Sequence, residues 1–189
     1  MKMSGNDLLR YSKQIILKQV GILGQKKISS TKVLIVGMGG LGCPVALYLS
    51  NLGIKNIGIV DRDRVDFSNL NRQILFNTKD IGKFKVTQAR KILQRGNKNV
   101  QIKTYKEKII KKNIHTILKK YEIICDCSDN FETRYLLNDF CLKNKKILIS
   151  AAINKFEAHI FNFDFKKNIP CYRCFMPEMP EIENTCDAE

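Results

Sequence analysis

The sequence predicts an α/β fold, a doubly wound and mostly parallel sheet, on three observations. Short β-branched apolar runs alternate with helical patterns, the runs are nearly continuous in hydrophobicity, and a glycine cluster follows the first of them directly. Strands separated by helices pair in parallel through right-handed crossovers, and continuous apolar strands belong to sheets covered on both faces. Residues 8–20 carry Leu9, Ile15, Ile16, Leu17 and Val20, which suits a short amphipathic helix or two half-helices before Gly21. Lys32-Val33-Leu34-Ile35-Val36 reads as a buried strand that stops at Gly37. Residues 43–52 then read as a helix, with Pro44 in the first turn, where its missing N–H costs nothing, and Gly53 at the C-cap. Ile57-Gly58-Ile59-Val60-Asp61 is the second strand. Residues 84–93 form a helix, 100–105 a strand, 111–119 a helix, 121–127 a fourth strand, 131–143 a helix and 147–150 a fifth strand. After Ala151 the rhythm changes: residues 158–163 alternate, which predicts an antiparallel extension of the sheet after the fifth strand.

With 189 residues, 44% hydrophobic and 27% charged, the chain has the composition of a globular domain, not of a disordered or collagen-like one. No apolar run approaches the ~20 residues that span a bilayer, and the opening Met1-Lys2-Met3-Ser4-Gly5-Asn6-Asp7 lacks a signal-peptide core. The protein is therefore expected to be cytoplasmic, with no membrane partner. Seven cysteines, an odd number set partly within apolar segments, are no secreted disulfide framework. The 33 basic and 18 acidic residues give a net charge of +15, which favours encounter with nucleotides, polyanions or an acidic protein. No nucleic-acid reader motif or aromatic stacking platform accompanies that charge, so no specific nucleic-acid partner is expected.

Gly37-Met38-Gly39-Gly40-Leu41-Gly42 fits G-x-G-x-x-G directly after a strand and before a helix. Glycines permit a tight turn and close approach of backbone to phosphate, and the helix N-terminus presents N–H donors. Asp61, about 20 residues beyond, ends the next strand, where an acid can accept hydrogen bonds from a ribose. The fold expected is therefore Rossmann-like; the competing account is a plain glycine turn beside a surface acid. Cationic and amide groups follow: Ser68-Asn69-Leu70-Asn71-Arg72-Gln73, then Gly82-Lys83-Phe84-Lys85. A dinucleotide needs two phosphates neutralised, whereas a triphosphate reacting at its α-phosphate needs more positive charge and a metal ion. Asp126-Cys127-Ser128-Asp129-Asn130 supplies acids at the carboxyl end of the fourth strand, the edge where open α/β sheets bind ligands.

Together Arg10-Tyr11-Ser12-Lys13-Gln14, the glycine loop, Asp61, Ser68-Asn69-Leu70 with Arg72-Gln73, Lys85, the 126–130 run and Cys171-x-x-Cys174 resemble the E1-like adenylyltransferase family. These are the MoeB, ThiF and HesA proteins, related to ubiquitin-activating enzymes. The resemblance implies that the C-terminal glycine carboxylate of a ubiquitin-like sulfur-carrier protein, of MoaD or ThiS type, attacks the α-phosphate of Mg·ATP in molybdopterin or thiamine biosynthesis. Such a carboxylate is ionised at neutral pH, so positioning and charge stabilisation suffice without a protein nucleophile. The nucleotide-binding set so implied is Gly37, Gly39, Gly40, Gly42 and Asp61, with Asn69, Arg72 and Lys85 on phosphates. Asp129 would bind Mg²⁺, and Lys13 would reach the neighbouring site of a homodimer. The competing readings are a solvated basic face for Arg72, Lys85 and Lys13, and an N-cap for Asp129, a task for which Asn130 competes.

The chain departs from the family at Lys13, where the pattern has arginine; charge remains but the bidentate fork is lost. Cys171 and Cys174 have the spacing of a zinc half-site, and a tetrahedral site needs four ligands. Zn²⁺ is therefore expected only with the second Cys-x-x-Cys that family members carry. Cys186 aligns with a loop in which some relatives carry a reactive thiol. Cys125 and Cys127 read as core, and His115 and His159 as structural. The expected organisation is a helical segment over 1–30, a nucleotide-binding domain over 31–165, and over 166–189 the cysteine pair and a crossover loop, with the chain reading as cut short. An NAD(P)-dependent oxidoreductase would share the glycine loop and Asp61, but leaves Arg72, Lys85, Asp129 and the cysteine pair without a role. A non-catalytic scaffold for a ubiquitin-like protein is the other alternative.

Overall fold

The computed structural model describes residues 3–178. Its order is α1 (Gly5–Arg10), α2 (Ser12–Ile15), α3 (Gly21–Ser30), β1 (Lys32–Val36), α4 (Gly42–Leu52), β2 (Asn56–Val60), α5 (Lys85–Gly96), β3 (Gln101–Tyr105), α6 (Ile114–Leu118), β4 (Ile123–Asp126), α7 (Phe131–Lys143), β5 (Ile147–Asn154), β6 (Glu157–Asp164) and α8 (Tyr172–Phe175). Six strands form one sheet in the order β3-β2-β1-β4-β5-β6. The first five pair in parallel and β6 runs antiparallel to β5. The doubly wound Rossmann-like class and its antiparallel extension are as the sequence predicts.

Period-2 alternation divides the strand side chains between two cores. Val33, Ile35, Ile57, Ile59 and Cys125 pack on one face with α4 and α5, through Ala46, Val86, Ala89 and Leu93. Leu34, Val36, Val60, Ile124 and Leu148 pack on the other with α6 and α7, through Ile114, Leu118, Leu137 and Phe140. Cys127 is buried in the first core as well. The strand order reverses between β1 and β4, and at that switch point doubly wound sheets bind ligands.

Before Gly21 the N-terminal segment forms two short helices, α1 and α2, the second of the two forms that the sequence suggests, and Gly21, with φ +56°, opens α3. Polar side chains pin it to the far ends of α4 and α5. Arg10 donates to Gly96 O at 2.9 Å, and Gln14 and Gln25 both donate to Leu52 O, at 3.2 and 3.0 Å. Fully buried Tyr11 accepts from Asn97 Nδ2 at 3.2 Å. Residues 111–113 lie outside α6 because Asn113 turns its side chain back, accepting from Ile110 N at 2.9 Å and donating to Lys108 O at 2.9 Å. Truncating a buried aromatic removes both its transfer energy and its packing. Tyr11→Ala is thus expected to cost about 3–5 kcal/mol, read from denaturant melts; an unchanged midpoint would show that the N-terminal helices do not brace the sheet.

Candidate active site

β1 is followed by Gly37, whose φ of +92° a side chain would resist; a Cβ there would lie 2.5 Å from Cys127 O. At Gly42 a Cβ would lie 2.0 Å from Gly37 O, so the turn closes only with glycine at both positions. The turn aims the N-terminus of α4 at the carboxyl edge of the sheet. Among the described residues no protein group accepts from the amides of Gly39 and Gly40. Arg72 lies over this loop, with Cγ 3.4 Å from where a Cβ on Gly40 would stand. Gln73 is beside it, its Nε2 at 4.0 Å from the equivalent point on Gly39.

Asp61, just past β2, ties that loop to the next segment. Its Oδ2 accepts from Met38 N at 2.7 Å and its Oδ1 from Asp63 N at 2.7 Å. Burial pushes its carboxyl above the ordinary range, and those two N–H groups and Lys85 oppose the rise. The connection from Asp61 to α5 is closed at its neck by Val65 N to Lys83 O (2.9 Å), Gly82 N to Val65 O (2.8 Å) and Lys85 N to Asp63 O (3.0 Å). Arg64 stacks at 4.1 Å on Phe84 across the same neck. Beyond it the loop folds back through a 3₁₀ turn, Phe67–Asn69, capped by Asp66. Asn69 O then accepts from Arg72 N at 3.2 Å and Gln73 N at 2.9 Å, which fixes where those side chains start. The Arg72 guanidinium bonds only Ser68 O and Asn71 Oδ1, with no carboxylate partner among the described residues. Lys85, 6% exposed, enters from the start of α5 and pairs with Asp63 Oδ2 at 3.3 Å.

At the end of β4 the two acids of the 126–130 run have separate environments. Asp126 is fully buried and receives Arg134 Nε at 3.1 Å, Ser150 Oγ at 2.6 Å and both Ser128 N and Oγ. Arg134 also donates to the carbonyls of Ser128 and Ala151, so this pair ties β4, α7 and β5 together. Asp129 is exposed and, among the described residues, bonded only by Asn130 Nδ2 at 3.2 Å, while Asn130 accepts from Thr133 N and caps α7. An exposed carboxylate one residue past Ser128, whose N lies against Gly37, suits a magnesium ion, which takes one or two protein carboxylates and completes its shell with phosphates and water.

The structure thus gathers Gly37, Gly39, Gly40, Gly42, Asp61, Asn69, Arg72, Lys85 and Asp129 at the carboxyl edge around the switch point. Lys13 stands apart: exposed on α2, it belongs to the helices pinned at the far end of the 11-residue α4, about 16 Å from the loop. Cys171 and Cys174 lie at α8 with sulfurs 3.8 Å apart. Burial would raise the Cys171 thiol, but hydrogen bonds from the Cys174 and Arg173 backbone and from Asn138 outweigh it and hold the thiol below its usual value. Among the described residues no third His, Cys, Asp or Glu joins them in a metal-binding group. Cys186 falls outside the described residues. Burial pushes the Cys43 thiol up to about 11 and Cys125 up to about 12, which makes neither a nucleophile. His115 is exposed against Phe140, and His159 packs among Phe161, Tyr172 and Phe175.

Residue-by-residue reading missed Asp63, the Arg134 anchor and Gln73, which is 3% exposed with Oε1 unpartnered among the described residues. Gln73 stood in the sequence as a motif neighbour of Arg72; only its burial beneath the loop singles it out.

Residues 11–189 match the ThiF family. The chain belongs to that family. Its relatives include "Adenylyltransferase and sulfurtransferase MOCS3" of Culex quinquefasciatus, 43% identical over 187 residues, which covers 99% of this chain and 42% of the relative. The Xenopus laevis protein of the same description is 41% identical, over 96% of this chain and 40% of its own length. The chain therefore spans less than half of these relatives. The crystal structure of E. coli MccB with ATP matches at a TM-score of 0.80 and 26% identity, over 91% of this chain and 52% of that one. SeMet PaaA matches at 0.79 and 25%, over 90% and 55%.

The two acids at β4 make a sharp contrast. Asp126→Ala leaves a buried guanidinium unpaired and is expected to cost about 3–5 kcal/mol, whereas Asp129→Ala should shift stability by less than about 0.5 kcal/mol. Matched thermal melts check this, and equal losses would contradict the assignment of Asp126 as the structural acid.

Proposed function

We propose that this ThiF-family chain carries the adenylating site of an enzyme that activates the C-terminal glycine of a ubiquitin-like sulfur-carrier protein with ATP. The observation that carries the reading is the convergence of two cations on one glycine loop, Arg72 lying over Gly40 without a carboxylate partner among the described residues and Lys85 beside Asp61. A glycine loop and a strand-end acid alone suit any nucleotide; two added cations suit a triphosphate whose α-phosphate is attacked. The printed names of the MOCS3 relatives and the ATP in the MccB structure support the same reading.

In this mechanism Asp61 accepts from the ribose hydroxyls while the free amides of Gly39 and Gly40 face the phosphates. Asn69, Arg72 and Lys85 hold the phosphate oxygens, so negative charge building at the α-phosphate meets donors already in place. Asp129 would hold Mg²⁺, which supplies charge neutralisation on the phosphates when bound. The carrier's carboxylate forms the new P–O bond, and the bond to the β-phosphate breaks, giving acyl-adenylate and pyrophosphate. No protein thiol takes part in that step. Zn²⁺ at Cys171 and Cys174 would require ligands beyond that pair.

The proposal includes a homodimer. Lys13 cannot serve its own chain's site across the length of α4, and apolar Leu9, Ile16, Leu17 and Leu23 are exposed on the helices around it. A second copy covering that face would bring Lys13 to the neighbouring phosphates. MoaD- and ThiS-type carriers, and hence molybdopterin and thiamine pathways, are both compatible with the site.

Carrier-dependent ATP–pyrophosphate exchange tests the reading. Exchange should appear only with the cognate carrier and fall about 10²–10³-fold in Arg72→Ala. Mixed dimers of Lys13→Ala and Arg72→Ala chains should recover part of it. Hydride transfer to NAD(P) without exchange would instead identify an oxidoreductase, and absence of rescue in demonstrated mixed dimers would place each site within one chain.

A further inference from the structure

Lys85 is a cation in an awkward place. It is the first residue of α5, at the positive end of the helix dipole, and the first turn of that helix contains no acid. Its side chain is 8% exposed, so its charge is largely withdrawn from water. A buried ammonium in that position is unfavourable unless an anion stands beside it. Among the described residues Asp63, at 3.3 Å, is the one carboxylate within ion-pair distance; Asp61, whose carboxyl also feels Lys85, has each oxygen on a backbone N–H. Asp63 is itself 53% exposed and opens toward solvent, with Arg62 Nε at 3.7 Å from its other oxygen. Its backbone is fixed from both sides: the N–H donates to Asp61 Oδ1 and the C=O accepts from Lys85 N. The carboxylate therefore hangs from a point tied to both the ribose-facing acid and the phosphate-facing lysine.

We propose that Asp63 is a positioning residue, the resident counter-ion that holds Lys85 at the glycine loop in the empty site and yields it to the incoming phosphate. Lys85 then stays in place without nucleotide, because a partner is always present. Asp63 competes with phosphate for the same ammonium, so the empty site attracts anions less strongly than its cations alone would. The competition acts through Lys85, and it disappears when that ammonium is absent.

The inference rests on the reading of this edge as a nucleotide site, and a double-mutant cycle on ATP affinity separates the two. ATP is titrated calorimetrically into the chain in chelator, so that any role of Asp63 toward a metal ion does not contribute. Asp63→Asn, and Asp63→Ser as a second charge-removing variant, should each tighten metal-free ATP binding about three- to tenfold, with the gain shrinking as salt rises. Asp63→Glu should keep wild-type affinity within about twofold, since it restores the charge. In a Lys85→Gln background, Asp63→Asn should change affinity by less than about twofold. Equal effects in both backgrounds, or weaker binding by Asp63→Asn and Asp63→Ser, would overturn the proposal and make Asp63 merely structural. A wild-type chain that binds no ATP would overturn the nucleotide reading, and this inference with it.

Discussion

One carboxylate joins the parts of this site. Asp61 accepts from Met38 N with one oxygen and from Asp63 N with the other, both at 2.7 Å, and so bolts the glycine loop after β1 to the long connection after β2. Each bond is to a backbone amide, which is fixed by the strand it follows, so the geometry depends little on side-chain rotamers. Charge-assisted bonds of this kind are short and directional. They also set the electrostatics, because they counter the burial that raises the Asp61 carboxyl. Everything the site needs from the connection, Arg72 above Gly40, Gln73 beneath the loop and Lys85 at the head of α5, hangs from the segment that Asp61 anchors.

A second junction does for the scaffold what Asp61 does for the ligand edge. Asp126 and Arg134 are 0% and 4% exposed, and between them they bond groups from β4, α7, β5 and the loop through Ser128. That network places Cys127 and Ser128 against Gly37, where a Cβ would collide. The position of Asp129 follows from it, since this residue leaves the buried network and turns out to solvent before Asn130 caps α7. Two acids of one short run thus divide the work, one holding the edge together and one left free to act.

Much of this was legible in the chain because the signals were local. The glycine pattern directly after an apolar run, Asp61 at the next strand end and the 131–143 helix bounded by Asn130 all depend on near neighbours in sequence, and they stand where expected. Helix limits went astray where side chains competed with the backbone. Asn113 shortened α6 by bonding back to residues 108 and 110. Arg134 and Gln73 were opaque for a different reason. A polar residue within a helix or loop reads as a solvent-facing one until the distant segment that buries it is known, and their neighbours come from β4, β5 and the glycine loop. Asp63 was hidden by its proximity to Asp61, the stronger signal.

The central claim is that the edge joined by Asp61 is a triphosphate site and not a dinucleotide site. Isothermal titration of the same chain with Mg·ATP and with NAD tests it most directly, since both ligands would use the glycine loop and Asp61 and only the triphosphate would use Arg72 and Lys85 together. The account predicts tighter binding of Mg·ATP, with the preference lost in Arg72→Ala. Tighter binding of NAD, unaffected by that substitution, would contradict it.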